Sequence, residues 1–199
     1  MLLQNNIGAV IGCDEVGRGS LAGPVVAAAV TFTKPVRAPK WWKYVTDSKR
    51  LSAVQRSELA QQILDIAAGW GIGVVEHNTI DEINIHHASL HAMKLAVHQV
   101  MEKLQIDNIH VLIDGKFKIP GCGFEQQAIV KGDSKVHSIA AASIVAKVYR
   151  DNVMKLLHEV YPEYQFDEHK GYATKKHRAA IVRYGLSTVH RVSFCDTIV

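Results

Sequence analysis

The sequence predicts an α/β domain in which a mixed β-sheet is covered by helices. Short apolar, β-branched runs cluster early in the chain and later alternate with segments of helical spacing. Several of these runs end next to an acidic residue. Because the 199 residues contain only 5 prolines, no stretch is marked as a linker, and one compact unit is expected. The order of the strands is left open by these patterns.

The first part of the chain predicts two neighbouring strands followed by a helix. Residues 7–13 and 25–32 are apolar and partly β-branched, with a glycine-rich turn between them. Ser52 and Gln55 have the spacing of a capping box, in which both side chains satisfy backbone donors of the first helical turn. A helix is therefore expected from Ser52, with Gly69 at its far end.

The rest of the chain alternates between strands and helices. Strands are predicted at residues 70–75, 109–113 and 127–130, and helices at residues 86–104, 138–160 and 174–185. Residues 138–160 contain many alanines and no internal helix breaker, so this helix can lie close against a sheet.

Composition limits the functional classes only weakly. The formal charge of +4 suits a polyanionic partner without establishing one. The 3 cysteines are widely separated and lack zinc-binding or redox spacing, so reduced thiols are expected. Neither a signal peptide nor a membrane span is indicated, and we expect a cytoplasmic protein without a membrane anchor.

Acidic residues stand at the ends of three predicted strands. Asp14 and Glu15 follow the first strand, Asp114 ends another, and Asp133 follows a third. Carboxylates that converge there would repel one another unless cations lay between them, and hard oxygen ligands suit Mg²⁺ or Mn²⁺. Two alternatives stay open: Asp133 as the N-cap of the alanine-rich helix, and Asp114 as a turn residue.

The glycine-rich segment after these acids fits an anion contact better than a nucleotide-binding loop. Gly17 and Gly19 lead into a strand instead of a helix, which disfavours the dinucleotide fingerprint, and Phe117 after Lys116 rules out a P-loop. Arg18 can offer a forked donor to phosphate, although a plain surface turn is the alternative.

In several ordered blocks, the chain resembles the bacterial-type ribonuclease HII family. The blocks include DEVGRG at 14–19, DSK at 47–49, IDG at 113–115, KGD at 131–133, SIAAASIVAKVYRD at 138–151, HKGY at 169–172 and HRVSF at 190–194. The resemblance implies a ribonuclease H-like fold with additional C-terminal helices, with residues 1–199 as a single catalytic domain.

The resemblance also implies roles for individual residues. Asp14, Glu15, Asp114 and Asp133 would form the catalytic metal cluster. Gly17, Arg18 and Gly19 would recognise the ribose 2′-hydroxyl, Tyr172 would stack on the sugar of the next deoxynucleotide, and Lys49, Ser143 and Lys147 are candidates for phosphate contacts.

The implied activity is cleavage of the RNA strand in RNA/DNA hybrids and 5′ of ribonucleotides embedded in duplex DNA. As a hypothesis, two divalent ions about 4 Å apart would flank the scissile phosphate, leaving 5′-phosphate and 3′-hydroxyl ends. Ser20 departs from the family, which often has proline there, and the tail from Phe194 shows no clamp-binding motif. A monomer is expected.

Two rival functions are considered. Another metal nuclease of the same fold, such as a junction resolvase, would share the carboxylates but would have no use for a 2′-hydroxyl contact. A nucleic-acid-binding module that has lost catalysis is disfavoured because all four acids are present. Cleavage of an all-DNA branched substrate would favour the first rival, and metal-dependent turnover would exclude the second.

Overall fold

The computed structural model describes residues 8–32, 40, 42–45, 51–106 and 108–198. Its strands are β1 (Ala9–Val16), β2 (Val25–Thr31), β3 (Gly69–Val75), β4 (Ile109–Asp114) and β5 (Glu125–Ile129). Its helices are α1 (Ala53–Ile66), α2 (His77–Leu104), α3 (His137–Val160), α4 (Phe166–His169), α5 (Lys175–Tyr184) and α6 (Val192–Cys195).

The strands form one mixed sheet in the order β3-β2-β1-β4-β5. β1 and β2 are antiparallel, as are β2 and β3, whereas β4 is parallel to both β1 and β5. This confirms the predicted mixed sheet and the pairing of the first two strands. The sheet places the ends of the parallel strands β1 and β4 side by side at its centre.

Helices cover both faces of the sheet, and the alternation of side chains along β2 shows how. Ala27 and Ala29 belong to the core beneath α2, while Ala28 and Val30 belong to the core beneath α1 and α3. Small residues on both faces let the helices approach closely. A Cβ atom on Gly12 of β1 would lie 2.1 Å from the Ser138 backbone, so only glycine allows α3 to pack there.

A third apolar cluster joins the C-terminal helices to the loop between β1 and β2. Leu21 and Ala22 of that loop pack with Met154 of α3, Phe166 of α4 and Ile181 of α5. The C-terminal helices therefore support the chain segment that follows the acids of β1.

The first strand is longer than predicted. Asp14 and Glu15 lie within β1 instead of after it, because the antiparallel pairing with β2 continues as far as Val16 opposite Val26. The prediction of a strand that ends at Cys13 was wrong for this reason.

The boundaries of the first two helices also need correction. The capping box of Ser52 and Gln55 is confirmed, but Ala67 is the C-cap of α1 and Gly69 is already the first residue of β3, paired with Thr31. α2 begins at His77 rather than at residue 86.

The early start of α2 comes from a kinked helix. Asn84 interrupts it with φ 62° and ψ 163°, and its Oδ1 accepts hydrogen bonds from the amides of His86 and His87 at 3.0 and 3.3 Å. The apolar spacing predicted only the part after this kink, where Asn84 caps a new helical run.

The later helices agree closely with the prediction. α3 begins one residue before the predicted 138, and α5 has Thr174 as N-cap and Gly185 as C-cap. Across the described ranges, none of the helices has the length and apolar character that a membrane span requires. Cys13, Cys122 and Cys195 are all free thiols.

Candidate active site

The acidic residues lie where the two central parallel strands end. Cys13 of β1 pairs with Ile113 of β4, so Asp14 and Asp114 occupy the next position on each strand. Ligand sites in open α/β sheets lie at the carboxyl ends of the strands, and Asp14 and Asp114 lie at that end of β1 and β4. Asp14, Glu15 and Asp114 lie near enough to one another for their charges to affect the pKa of Asp14 and Glu15.

Asp14 is the most buried of the acids, with 6% of its surface exposed. Burial raises its pKa well above the ordinary value, and the charges of Glu15 and Asp114 raise it further. A hydrogen bond to the Ser143 side chain and another from the Glu15 amide to Asp14 Oδ1, at 2.7 Å, lower it in part. The ionised carboxylate is therefore under electrostatic strain that a cation would relieve.

The Glu15 side chain forms an ion pair with the neighbouring Arg18. Its Oε1 accepts a hydrogen bond from Nη1 of Arg18 at 3.0 Å. Burial raises the Glu15 pKa, the Arg18 charge and its hydrogen bond lower it, and the Asp114 charge raises it again, with a net increase. Arg18 therefore stands beside the acids, with about half of its side chain exposed.

Asp114, the last residue of β4, is hydrogen-bonded to the turn that contains Asp133. Its Oδ1 accepts a hydrogen bond from the Gly132 amide at 2.6 Å. Gly132 begins the short 3-10 turn Gly132–Ser134, which places Asp133 directly after this bond. Asp133 is not the N-cap of α3, because that position belongs to Val136, so the capping alternative was wrong. The N-cap position lies further along because the 3-10 turn precedes the helix.

The donor set fits a hard divalent cation, although the acids are not arranged around one. Among the residues that the structure describes, no three acidic, histidine or cysteine side chains are grouped closely enough to hold a metal ion. Instead, a donor of the protein engages each central acid: Ser143 for Asp14, Arg18 for Glu15 and Gly132 for Asp114. Buried, mutually repelling carboxylate oxygens are the ligands that Mg²⁺ and Mn²⁺ prefer.

Residues 17–24, between β1 and β2, form the glycine loop. A buried arginine that the sequence analysis did not single out packs against it. Gly17 has φ +94°, and a Cβ atom there would lie 2.2 Å from Nε of Arg150. Arg150 is fully buried and donates to the carbonyl oxygens of Pro24, Ala22 and Lys170 at 2.9, 3.2 and 2.9 Å. An arginine inside an alanine-rich apolar helix was the sequence signal for this role.

A second buried arginine holds the same loop from the C-terminal side. Arg191 donates from Nε and Nη2 to the Gly23 carbonyl oxygen at 3.0 and 2.8 Å, and from Nη1 to that of Arg18 at 3.0 Å. Burial, followed by the charge of Arg150, lowers the Arg191 pKa to about 9. The loop is therefore fixed mainly through its carbonyl groups.

Tyr172 stands beside this loop. Ser20 forms an isolated antiparallel bridge with Tyr172, and the Leu21 amide donates to the Gly171 carbonyl at 2.8 Å. The Tyr172 ring is 36% exposed and lies 5.6 Å from the guanidinium carbon of Arg150. A Cβ on Gly19 would meet no atom within 4 Å, so the loop is open there.

A cleft of about 220 Å³ borders the acids on the side of α2. It is lined by Glu15, Arg18, Asp114, Lys116, His86 and Phe117, among others. The rings of His86 and Phe117 meet edge to face at 4.6 Å, and Phe117 is 56% exposed. Sequence reasoning missed both aromatic residues, since neither belongs to a block of the resemblance.

The three candidates for phosphate contacts lie in different situations. Lys147 forms an ion pair with Asp151, with Nζ and Oδ1 2.7 Å apart. Ser143 lies close to Asp14 and lowers the pKa of that carboxyl through a side-chain hydrogen bond. Lys49 lies outside the described residues.

Comparison with known proteins agrees with this geometry. The ribonuclease HII family model matches residues 11–197. The chain is 44% identical over 197 residues to ribonuclease HII of Caldanaerobacter subterraneus subsp. tengcongensis, covering 99% of this chain and 78% of the relative. It is 47% identical over 192 residues to ribonuclease HII of Chlorobaculum tepidum, covering 96% and 92%.

Solved structures show the same fold. A complex of PCNA with ribonuclease HII from Archaeoglobus fulgidus matches with a TM-score of 0.75 and 26% identity, covering 93% of both chains. Bst-RNase HIII in complex with Mn²⁺ matches with a TM-score of 0.73 and 20% identity, covering 95% of this chain and 68% of that one. With its ribonuclease H-like α/β fold, the chain therefore belongs to the ribonuclease HII family of metal-dependent endoribonucleases.

Proposed function

We propose that this protein cuts the RNA strand of RNA/DNA hybrids and incises duplex DNA on the 5′ side of single embedded ribonucleotides. The proposal rests on one observation. Asp14, Glu15 and Asp114 lie near one another at the carboxyl ends of β1 and β4, and the loop that follows them is bridged to Tyr172 through Ser20. The acids that we propose to bind metal and the residues that we propose to contact ribose are therefore joined by one short loop.

We propose that Asp14, Glu15, Asp114 and Asp133 hold two divalent cations, Mg²⁺ or Mn²⁺, together with substrate. Ions held by these residues would supply Lewis-acid activation of a water and charge stabilisation for a leaving 3′-oxygen, and the expected products would carry 5′-phosphate and 3′-hydroxyl ends. The position of Asp14 and Asp114 after a pair of aligned residues on neighbouring parallel strands supports this assignment, and burial, together with the charges of the neighbouring acids, raises the pKa of Asp14 and Glu15. Rotation of Glu15 away from Arg18 would free the carboxylate and the guanidinium at once.

The loop and Tyr172 would recognise the sugar. The backbone of Gly17 and Gly19 and the side chain of Arg18 would contact the 2′-hydroxyl, the group that distinguishes RNA from DNA. Tyr172 would stack on the sugar of the following deoxynucleotide. Lys49, Ser143 and Lys147 remain the proposed phosphate contacts, which would add affinity without sequence selectivity.

The assignment of the acids is tested by Asp114→Asn on a DNA duplex that carries one ribonucleotide. Product ends would be mapped with Mg²⁺, with Mn²⁺ and with chelator. We expect the wild type to incise 5′ of the ribonucleotide only with metal, and the variant to lose this cleavage while keeping its circular dichroism spectrum. Asp65→Asn, an exposed change on α1, is the matched control. Retained turnover by Asp114→Asn would contradict the assignment.

The role of Tyr172 is tested by Tyr172→Ala. We expect the variant to lose preference for the junction between ribose and deoxyribose more than it loses affinity for the duplex. Tyr149→Ala removes a similarly exposed ring in the groove between α1 and α3 and should change neither quantity. Equal losses of preference and affinity in Tyr172→Ala would argue against stacking.

We further propose that residues 1–199 form a single cytoplasmic, monomeric domain whose C-terminal helices complete the site. The bonds from Arg191 to the glycine loop support the structural part of this proposal. The Archaeoglobus fulgidus relative was solved with PCNA. In this chain, Phe194 packs partly buried against the core, so we do not assign the tail to clamp binding.

A further inference from the structure

Three histidines, two of them buried, cluster beside the backbone of Tyr172, and the proposed function gives none of them a role. His169 ends α4, His177 lies in the first turn of α5, and His190 precedes α6. His177 is fully buried and His190 is 2% exposed. Buried polar groups of this kind require defined partners, and here the partners fix which nitrogen of each ring carries the proton.

The direction of each hydrogen bond follows from the backbone groups at both ends of the chain of contacts. The Ser187 amide donates to Nδ1 of His190 at 2.9 Å, so the proton of His190 is on Nε2. That Nε2 lies 3.0 Å from Nε2 of His177 and donates to it. Nδ1 of His177 then carries the remaining proton and donates to the Tyr172 carbonyl oxygen at 3.0 Å.

His169 has its tautomer fixed in the same way. The Gly171 amide donates to its Nδ1 at 3.2 Å, and its Nε2 donates to the Tyr164 carbonyl at 2.7 Å. Its ring stacks on that of His177 at 4.4 Å. His169 therefore supports the residue just before Tyr172, while His177 supports Tyr172 itself.

The cluster is neutral at physiological pH, which the bonding pattern requires. A second proton on His177 would set two N–H groups against each other at the 3.0 Å contact with His190, and a second proton on His190 would set its Nδ1–H against the Ser187 amide at 2.9 Å. Burial, followed by the charges of neighbouring histidines, lowers the pKa of both rings to about 4. Aromatic rings surround the pair, with Phe166 at 5.5 Å from His177 and Tyr164 at 4.8 Å from His190.

We propose that His177 is a positioning residue for Tyr172, and that Ser187 and His190 set it in the only tautomer that can donate to the Tyr172 carbonyl. If the proton of His177 moved to Nε2, the lone pair of Nδ1 would face the lone pairs of that carbonyl and push it away. The backbone of Tyr172 is thus fixed on one side by Ser20 and on the other by His177. This inference rests on the proposed role of Tyr172 in contacting the sugar.

Two substitutions separate hydrogen bonding from packing. In His177→Asn, the amide nitrogen occupies the place of Nδ1 and can still donate to Tyr172. In His177→Gln, the amide reaches the place of Nε2, which keeps the contact with His190 but leaves the Tyr172 carbonyl without its donor. Glutamine is closer than asparagine to histidine in size, so a pure packing role predicts the opposite order of severity.

The activity test compares single-turnover cleavage of the one-ribonucleotide duplex with duplex affinity. We expect His177→Gln to lose about tenfold in junction preference, the scale of one lost hydrogen bond at a buried carbonyl, and His177→Asn to stay close to wild type. In the background of Tyr172→Ala, His177→Gln should cause little further loss. Equal effects of the two substitutions, or independent effects of His177→Gln and Tyr172→Ala, would overturn the proposal.

Nitrogen-15 NMR of the histidine rings tests the inference without any use of activity. At pH 7.5, we expect His177 to be the neutral Nδ1–H form, and His169 and His190 to be the neutral Nε2–H form. The Tyr172 carbonyl signal should shift in His177→Gln and stay in place in His177→Asn. A Nε2–H form of His177 overturns the inference. If the NMR results hold while Tyr172→Ala keeps its junction preference, the proposed role of Tyr172 fails and the positioning by His177 stands.

Discussion

The side chain of Arg150 occupies the space that a Cβ atom on Gly17 would fill, with Nε only 2.2 Å from that position. Together with the positive φ of +94°, this contact excludes any larger residue at Gly17. We expect Gly17→Ala to lower the free energy of unfolding by about 1–3 kcal/mol and to reduce cleavage strongly, because either the loop or Arg150 must move.

The matched control for this substitution is Gly123→Ala. A Cβ on Gly123 would meet no atom within 4 Å. Urea unfolding and cleavage of the one-ribonucleotide duplex would be measured for both variants. Wild-type cleavage by Gly17→Ala would contradict the role of this close packing.

Replacement of Arg150 by lysine should destabilise the protein although the charge is kept. Lysine lacks the forked geometry that lets Arg150 donate to the carbonyls of Pro24, Ala22 and Lys170. With buried carbonyls left unpaired, we expect a loss of roughly 3 kcal/mol in the free energy of unfolding. Arg183→Lys, on the exposed face of α5, is the control and should stay near wild type. Equal stability of the two variants would show that the fork of Arg150 is dispensable.

Asp14→Asn should stabilise the metal-free protein while abolishing cleavage. Because burial raises the pKa of Asp14 in the folded state, its ionisation costs stability at neutral pH. This cost disappears as the pH falls through the folded pKa towards the ordinary value of 3.8. The advantage of Asp14→Asn in urea unfolding with chelator should therefore be largest at neutral pH and should shrink on acidification. An advantage that grows at low pH would refute this explanation.

The histidine cluster should make the fold sensitive to mild acid. The pKa of His177 and His190 is about 4 in the folded protein, against 6.5 for a histidine in an unfolded chain. Unfolding therefore takes up protons at pH values between 4 and 6.5. The free energy of unfolding should then fall as the pH drops from 6.5 to 4, by up to about 3 kcal/mol for each ring.

Urea unfolding at a series of pH values checks this linkage. His177→Asn should lose one ring's share of the slope, whereas His91→Asn, on an exposed position of α2, should keep it. An unchanged slope in His177→Asn would mean that this ring does not titrate as expected.

The sequence predicted most of the secondary structure because the helix and strand patterns are strong where one face is buried. The capping box at Ser52 and the ends of α5 at Thr174 and Gly185 are local signals, and the structure confirms them. The predicted strand end at Cys13 was wrong because pairing with β2, a non-local contact, decides where β1 stops. The kink at Asn84 was missed because the apolar spacing does not show a single residue with positive φ.

The acids of the candidate site could be predicted from the sequence, whereas the buried residues that hold the surrounding loop in place could not. Asp14, Glu15 and Asp114 could be found because charged residues next to apolar strands are unusual. The roles of Arg150 and Arg191 depend on bonds that span more than 120 residues of sequence, and no local pattern reveals such partners. The same holds for His177 and His190, whose partners become clear only when α5 and the final turn are packed together.

Because Arg191 donates hydrogen bonds to the carbonyls of Gly23 and Arg18, the loop after β1 depends on a residue that is synthesised much later. The loop that follows β1 leaves the ribosome well before Arg191, whose side chain lies 168 residues beyond Gly23. A nascent chain can thus assemble most of its sheet while Gly23 and Arg18 still lack their C-terminal donor. We expect this loop to reach its final shape, and the proposed sugar contact to form, only after Arg191 has been synthesised.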